Sequence, residues 1–221
     1  MFYPKIKYAN KVSRYQFPTS KVVCVGRNYK EHAKELNNPI PSEPLLFNKT
    51  SNTLVDLISP IEIPSGLGSC HHELELAILI GERLDSSSDI NFSGISGIGL
   101  ALDLTLRELQ AHLKSKGHPW ERAKSFDGAC PISEFIGLEQ ISDVNNVSFS
   151  MTKNGQLAQR GNSGQMIFGF KSLLQSITAC FTLYPGDIVL TGTPAGVAEL
   201  KSGDKLILDI ENKLAVETSV Y

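Results

Sequence analysis

Apolar and charged residues alternate most regularly in residues 70–81, which read CHHELELAILIG. In an extended strand alternate side chains point to opposite faces, so Glu73 and Glu75 share one face while Leu74 and Leu76 share the other. The strand rise would place the Cα atoms of the glutamates about 6.5–7 Å apart. Like charges beside apolar side chains repel and lose hydration, so the pattern indicates a cation, a proton or water. A solvated face is the simpler alternative, and a divalent metal with oxygen ligands is the more specific one.

Weaker patterns along the chain predict mostly strands, separated by a few helices. Apolar and β-branched runs predict strands at residues 21–25, 95–103, 147–153, 156–160, 188–190, 205–210 and 214–220. Helical spacing predicts helices at residues 29–36, 104–116 and 165–179. Residues 1–20 read as an N-terminal arm or an edge strand, and residues 21–221 as a single domain. This mixture predicts an α+β fold built on a large sheet or roll.

The short helix predicted at residues 29–36 carries a candidate acid–base pair. His32 and Glu35 are three residues apart, so a helix would place them on one face, within hydrogen-bonding reach. Pro39 and the prolines after it end the helix, which indicates a mobile flap. A solvated surface pair is the alternative.

Further polar residues follow the strand that ends at Asp103. Asp103, Arg107 and Gln110 are spaced so that a helix would align them along one side, either as functional groups or as a capped, salt-bridged surface. Lys124 lies between apolar neighbours and would need an anionic partner if buried. The small-residue loop at 191–197 offers backbone N–H groups that suit a ligand carboxylate, although a plain turn has the same pattern.

Composition and charge narrow the choice of partners. Lys and Arg total 21 and Asp and Glu total 23, giving a formal net charge of −2 with no long run of one sign. This balance argues against a nucleic acid or an anionic membrane as the main partner. The 4 cysteines are widely spread, and neither a CxxC pair, a secretory leader nor a membrane-spanning apolar run is present in the sequence. We therefore expect a reduced, cytoplasmic protein.

Motifs in a fixed order carry a family resemblance that none of them carries alone. They are GRNYKEH at residues 26–32, HHELEL at 71–76, ALDLTLR at 101–107, PWERAKSFD at 119–127 and GTPAGV at 192–197. Together they closely resemble the fumarylacetoacetate hydrolase family, in particular its short, single-domain, acylpyruvase-like branch, over about residues 20–220. The resemblance implies a mixed β-roll, a single catalytic domain, a homodimer, and one divalent metal ion, Mg²⁺ or Mn²⁺.

The same resemblance assigns roles to individual residues. The metal ligands would be Glu73, Glu75 and Asp103. The catalytic residues would be His32, Glu35 and Lys124. The substrate contacts would be Arg27, Arg107, Gln110, Gly192 and Thr193. Hard oxygen donors suit Mg²⁺, whereas the contiguous residues 70–72, a Cys-His-His run, point in different directions and suit a zinc site poorly.

A 2-oxo acid is the substrate class that the resemblance implies. We expect a metal-dependent hydrolase that cleaves the C–C bond of acylpyruvates or related 2,4-dioxo acids, such as fumarylpyruvate, through a metal-bound pyruvate enolate. An isomerase, such as an oxaloacetate keto–enol tautomerase or a hydroxy-diene-dioate isomerase, or an oxaloacetate decarboxylase would use the same site. A non-catalytic metal or small-molecule binding module is the alternative from a different class.

Overall fold

Strands make up most of the structure, a computed structural model that describes residues 1–9 and 11–221. The strands are β1 (Lys5–Tyr8), β2 (Lys11–Arg14), β3 (Lys21–Gly26), β4 (Leu45–Thr50), β5 (Leu54–Asp56), β6 (Cys70–His72), β7 (Leu74–Ile80), β8 (Ile95–Leu102), β9 (Thr105–Leu106), β10 (Cys130–Ile132), β11 (Phe135–Gly137), β12 (Ser148–Lys153), β13 (Gln156–Asn162), β14 (Ile188–Leu190), β15 (Ala198–Glu199), β16 (Lys205–Ile210) and β17 (Leu214–Ser219). The α-helices are α1 (Lys30–Glu35), α2 (Arg107–Ser115), α3 (Glu121–Lys124) and α4 (Phe170–Thr178). Residue 10, which falls within the predicted N-terminal arm, lies outside the described residues.

A large mixed sheet forms the centre of the fold. Its strands lie in the order β2-β1-β11-β8-β7-β14-β3-β4, and β10 and β5 extend it beside β8. The pairs β1/β11, β5/β10 and β3/β14 are parallel, whereas the other pairs of this sheet are antiparallel. Two smaller sheets, β13-β12-β16-β17 and β15-β6-β9, complete the arrangement. The predicted α+β fold with a mixed β-roll is confirmed.

Strand β7 lies inside the large sheet and is buried on both faces. Leu74 and Leu76 pack into one apolar cluster, while Leu79, on the opposite face, packs into another. Glu73 and Glu75 are only 5% and 2% exposed, respectively. The interpretation of their face as a solvated surface is therefore wrong, and the carboxylates need compensating charge inside the protein.

The pairing of β7 with β8 brings the third acidic residue to the first two. Glu75 lies opposite Ala101 in the register, and the backbone N–H of Asp103 donates to the carbonyl of Glu73 at 2.9 Å. The chain then forms β9, which pairs with β6. Helix α2 consequently begins at Arg107 rather than at residue 104 as predicted, because the preceding residues are held in this strand pairing. Asp103 therefore precedes the helix and does not lie on its side.

The helix predicted at residues 165–179 is also shorter than expected, since α4 begins at Phe170. The residues before it are held in a non-helical conformation by the base of the flap. Met166 forms a β-bridge with Tyr29, and the backbone N–H of Phe168 donates to Asn28 Oδ1 at 2.8 Å. These non-local contacts take the backbone groups that a helix would have used.

Most of the predicted strands are confirmed, including the hairpin of β12 and β13. Asn154 and Gly155 join these strands with φ angles of 53° and 79°, as a tight hairpin turn requires. The division into an arm and one domain stays a prediction. Within the described ranges, every helix is too short or too polar to cross a membrane.

The central position of β7 predicts a large effect of a cavity there. We expect Leu79→Ala to lower the free energy of unfolding by about 2–5 kcal/mol, because Leu79 is fully buried. Urea unfolding measures the change. Leu157→Ala is the matched control, since Leu157 is 55% exposed and its loss should change stability by less than about 0.5 kcal/mol. Similar costs for both variants would contradict the assigned core.

Candidate active site

Three buried carboxylates converge at one end of β7. Glu73 lies at the break between β6 and β7, Glu75 is the second residue of β7, and Asp103 directly follows β8. One ligand oxygen from each residue lies within 4.8 Å of the others. Hard oxygen donors at this spacing suit Mg²⁺ or Mn²⁺, and they leave coordination positions for water and substrate.

Cations from two helices compensate this acidic triad, which we define as Glu73, Glu75 and Asp103. Lys124 Nζ, at the end of α3, lies 2.9 Å from Glu73 Oε2 and 2.5 Å from Asp103 Oδ2, and donates to Thr105 Oγ1 at 2.7 Å. Arg107, at the start of α2, forms an ion pair with Glu73. The three contacts of Lys124 Nζ use all three N–H donors of its ammonium group. Lys124 is therefore held in place and acts as a fixed positive charge.

The two glutamates of the triad differ in their preferred charge. Burial raises the pKa of Glu73, but the charges of Lys124 and Arg107 outweigh it and hold this pKa well below its ordinary value. Burial also raises the pKa of Glu75, and here the charges of Asp103 and Glu73 add to the rise. Glu75 therefore requires either a proton or a cation, which is the condition that a bound metal ion meets.

Lys49, in β4, is a charged neighbour of the triad that the sequence patterns did not single out. Its side chain is fully buried, and Nζ lies 2.9 Å from Asp103 Oδ1. Nζ also donates to the carbonyl oxygens of Lys124, Leu104 at 3.4 Å and Ala129 at 3.0 Å. The contact with Asp103 is an ion pair without hydrogen-bond geometry, since Oδ1 accepts no hydrogen bond from the described residues. Lys49 therefore balances the charge of Asp103 and helps to fix its position.

Gln159, in β13, is a second residue that sequence reasoning missed. Its Oε1 accepts from the backbone N–H of Leu74 at 2.9 Å and from His72 Nδ1 at 2.9 Å. Its Nε2 donates to Thr193 Oγ1 at 2.8 Å and to the carbonyl of Pro194 at 2.9 Å. One buried amide thus holds the chain between the two glutamates and the loop of Thr193 in a fixed relation.

Gly192 contacts the acidic triad through its backbone. Its backbone N–H donates to Glu75 Oε2 at 2.6 Å. Its φ angle is 97°, and a Cβ atom at this position would lie 2.7 Å from Asn28 Cβ. A glycine is therefore required here, and the predicted substrate contact through its N–H is replaced by a contact that orients a carboxylate.

The flap places the predicted acid–base pair over the triad. His32 Nδ1 lies 3.1 Å from Glu35 Oε2, and Glu35 Oε1 accepts from the backbone N–H of Gly196 at 3.0 Å. His32 is only 5% exposed, so the interpretation as a solvated surface pair is wrong. Its Nε2 atom makes no hydrogen bond with the described residues and is available to a ligand.

Most predicted site residues line one pocket. Glu35 and Gly192 do not line it, and each of them contacts a residue that does. Lys114 and Trp120 also line this pocket, and they are lining residues that the sequence patterns did not single out. The predicted residues around the pocket are Arg27, His32, Glu73, Glu75, Asp103, Arg107, Gln110, Lys124 and Thr193.

Comparison with known families agrees with this arrangement. The profile described as fumarylacetoacetate (FAA) hydrolase C-terminal matches residues 21–221. The chain belongs to the fumarylacetoacetate hydrolase family. A solved structure with the same fold is that of fumarylpyruvate hydrolase from Pseudomonas aeruginosa in complex with Mn²⁺ and pyruvate, at a TM-score of 0.89 and 28% identity. The match covers 98% of this chain and 95% of that one.

Relatives in this family correct the expected activity. Oxaloacetate tautomerase YcgM of Escherichia coli (strain K12) is 47% identical over 88% of this chain and 90% of its own length. The mitochondrial oxaloacetate decarboxylase of Dictyostelium discoideum is 48% identical over 83% of this chain and 85% of its own length. The expectation of an acylpyruvate hydrolase is therefore wrong as the main reading, and the alternatives stated beside it are favoured. The motifs did not separate these activities because one arrangement of carboxylates and candidate acid–base groups suits all of them chemically.

The family membership has further consequences for the expectations from sequence. The chain is an enzyme that acts on a small molecule, so the interpretation as a non-catalytic binding module is wrong. The zinc alternative finds no support, because the metal-competent cluster in the described part of the chain is the acidic triad and His72 is bound to Gln159. The homodimer stays a prediction. The cytoplasmic location also stays a prediction, since some relatives are named mitochondrial.

The opposite charge preferences of the two glutamates predict opposite effects of the same substitution. In metal-free protein at neutral pH, we expect Glu73→Gln to lower the free energy of unfolding, because folding favours the ionised form of Glu73. We expect Glu75→Gln to leave it unchanged or to raise it, because folding disfavours the ionised form of Glu75. The two variants should differ by more than about 1 kcal/mol in urea unfolding with a chelator present.

The two substitutions serve as controls for each other, since both replace one carboxylate of the triad by an amide. Adding Mg²⁺ or Mn²⁺ should stabilise the wild type, and both variants should lose most of that gain.

Metal-free wild type should also lose stability as pH rises above the ordinary glutamate pKa, because the folded state keeps a proton on Glu75 that the unfolded state releases. Equal destabilisation by both substitutions would contradict the assigned charge states.

Proposed function

We propose that this enzyme is an oxaloacetate tautomerase, which interconverts the keto and enol forms of oxaloacetate. The observation that carries the proposal is the position of His32, which lines the same pocket as the acidic triad and offers its Nε2 atom to a ligand. A tautomerase needs one group that moves a proton beside a site that stabilises negative charge on oxygen. The similarity to the Escherichia coli tautomerase supports oxaloacetate as the substrate.

The acidic triad would hold Mg²⁺ or Mn²⁺. A bound divalent ion supplies Lewis acidity toward the carboxylate and keto oxygens of a 2-oxo acid. The Mn²⁺ in the related fumarylpyruvate hydrolase supports a divalent ion, and the oxygen-only donor set supports Mg²⁺ equally well. Lys49 and Gly192 orient two of the three ligands, Asp103 and Glu75, in advance.

The proton transfer is assigned to the flap. In the direction from keto to enol, His32 would take a proton from C3, the C–H electron pair would form the C2=C3 double bond, and the C2=O π pair would move to the oxygen. The C2 oxygen would then take up a proton from water, and His32 would return its proton to the solvent. Glu35 holds the His32 ring through Nδ1 and would stabilise its protonated form. Lys124 would stabilise the developing negative charge as a fixed cation, which requires no reorganisation during the reaction.

The remaining predicted residues are proposed as substrate contacts. Arg107 donates to Gln110 Oε1 at 2.9 Å, which directs both side chains along the pocket wall and leaves the Gln110 amide N–H₂ group available. Thr193 lines the pocket from the loop after β14, where Gln159 donates a hydrogen bond to its hydroxyl group. Arg27 lines the pocket at the end of β3.

Oxaloacetate decarboxylation is a second candidate activity, favoured by the 48% identity to the Dictyostelium decarboxylase. In that reaction the C3–C4 bond breaks, CO₂ leaves, and C3 takes up a proton to give pyruvate. The same charge-stabilising groups would serve it. Proton NMR of oxaloacetate incubated with the enzyme separates the two activities, because tautomerisation conserves the four-carbon acid and decarboxylation yields pyruvate and CO₂. Activity that persists with a chelator would contradict the proposed metal site.

Removing the proposed proton-transfer group gives the sharpest test. We expect His32→Gln to lower kcat for enol–keto interconversion by about 10²- to 10⁴-fold, because general acid–base catalysis contributes that much. The loss of enol absorbance in the ultraviolet measures the rate. Stabilisation by Mg²⁺ in a thermal unfolding assay should be unchanged, because His32 is not a proposed ligand.

His118→Gln is the matched control for that substitution. His118 is exposed and lies outside the pocket, so this variant should retain wild-type kcat. A His32→Gln enzyme within about tenfold of wild type would remove His32 from the proposed mechanism.

A further inference from the structure

The cationic side chains that line the pocket fall into two sets. Arg107 and Lys124 form ion pairs with the carboxylates of the acidic triad. Arg27 and Lys114 line the same pocket, but neither side chain forms a hydrogen bond or an ion pair with another residue in the part of the chain that the structure describes. The first set balances the proposed metal ligands. The second set has positive charge available for a bound anion.

Helix α2 holds Lys114 at the pocket. Arg107, Gln110 and Lys114 are spaced by three and four residues, so they lie along one side of the helix, and all of them line the pocket. Lys114 Nζ lies 5.0 Å from the centre of the Trp120 ring, within the range of a cation–π interaction. This contact positions the ammonium group without neutralising its charge.

The surroundings of Lys114 destabilise its charged form in the absence of a ligand, although that form still predominates at neutral pH. Burial, and then the charges of Arg27, Arg107 and Lys124, lower the pKa of Lys114 to about 8. Glu73 opposes this effect more weakly. An anion bound beside Lys114 would offset both the burial and the repulsion. The pocket is therefore suited to more negative charge than the triad itself supplies.

Arg27 reaches the pocket from a different element. It follows Gly26 at the end of β3 and adopts a φ angle of 58°, in the left-handed region that a non-glycine residue rarely occupies. Backbone strain of this kind persists where the surrounding structure holds it, and it concentrates at ligand sites. Arg27 and Lys114 thus bring two unpaired cations to one pocket from β3 and α2.

Oxaloacetate carries two carboxylates, and the proposed function uses only one of them, together with the adjacent keto oxygen, at the acidic triad. We propose that Lys114, assisted by Arg27, binds the second carboxylate and thereby makes the enzyme selective for dicarboxylic 2-oxo acids over monocarboxylic ones. The inference rests on the proposed function for the identity of the substrate. The carboxylate site itself rests on the unpaired cations and on their place in the pocket.

Binding of an unreactive analogue tests this site separately from catalysis. Malate presents one carboxylate and a hydroxyl group to the triad and a second carboxylate beyond them, and its 4-methyl ester lacks only the second charge. In isothermal titration with Mg²⁺ present, wild type should bind malate about 10- to 100-fold more tightly than the ester, as one charged hydrogen-bonded contact would give. Lys114→Met should abolish this preference, and Lys114→Arg should retain it. The matched control, Lys116→Met, changes an exposed residue of the same helix end and should behave as wild type.

A parallel rate assay distinguishes failure of this inference from failure of the proposed function. With oxaloacetate, Lys114→Met should raise KM by a similar factor of about 10 to 100, whereas KM for the 4-methyl ester of oxaloacetate should rise less than about threefold. If wild type tautomerises oxaloacetate but Lys114→Met still binds malate more tightly than its 4-methyl ester, the inference is overturned and the function stands. If wild type lacks tautomerase activity but shows a preference for malate that depends on Lys114, the function is wrong and the carboxylate site stands.

Discussion

The burial of three carboxylates among cations is the constraint on which this structure depends. An isolated ionised carboxylate in a protein interior would take up a proton rather than remain charged. Here the cations arrive from separate elements, Lys49 from β4, Arg107 from α2 and Lys124 from α3. The connections between the sheets and the helices therefore serve the charge balance of the site as much as they serve packing. Loss of any one of these elements would leave buried charge without a partner.

This charge balance also defines what the site can do chemically. Lys124 is held by carboxylates and by the Thr105 hydroxyl group, so its charge is fixed before a substrate arrives. Fixed charges stabilise a developing negative charge more effectively than water does, because they need no reorientation. The structure therefore divides the charged groups of the site in two. The interior holds the fixed charges around the acidic triad, and α1 carries the candidate acid–base pair His32 and Glu35.

Local sequence patterns predicted the parts of the site that depend on one element, and they failed where distant elements meet. The alternation along residues 70–81 revealed Glu73 and Glu75, because period-two spacing is a property of one extended segment, here β7 and the residue before it. The start of α2 was misplaced because β9 pairs with β6, more than thirty residues earlier in the chain. Lys49 and Gln159 gave no signal, since their importance comes from the partners that other sheets bring to them.

Substrate identity was the least predictable property, and the reason is chemical. The triad, the His32–Glu35 pair and Lys124 suit any reaction that passes charge onto the oxygen of a 2-oxo acid. What distinguishes such substrates is the group beyond the reacting carbons. That group would contact the part of the pocket wall in which the sequence patterns singled out no residue. This part includes Phe47, Trp120 and the end of α2.

The contact between Glu35 and Gly196 gives the flap a further property. Glu35 holds His32 with one oxygen and the loop after β14 with the other. Movement of α1 away from this loop would break the contact with Gly196, whereas His32 and Glu35 would move together because both lie on α1. The same carboxylate therefore joins α1 to the loop after β14 and contacts the imidazole ring. A single exposed hydrogen bond contributes only about 0.5–1.5 kcal/mol, so this contact by itself would hold α1 against the loop only weakly.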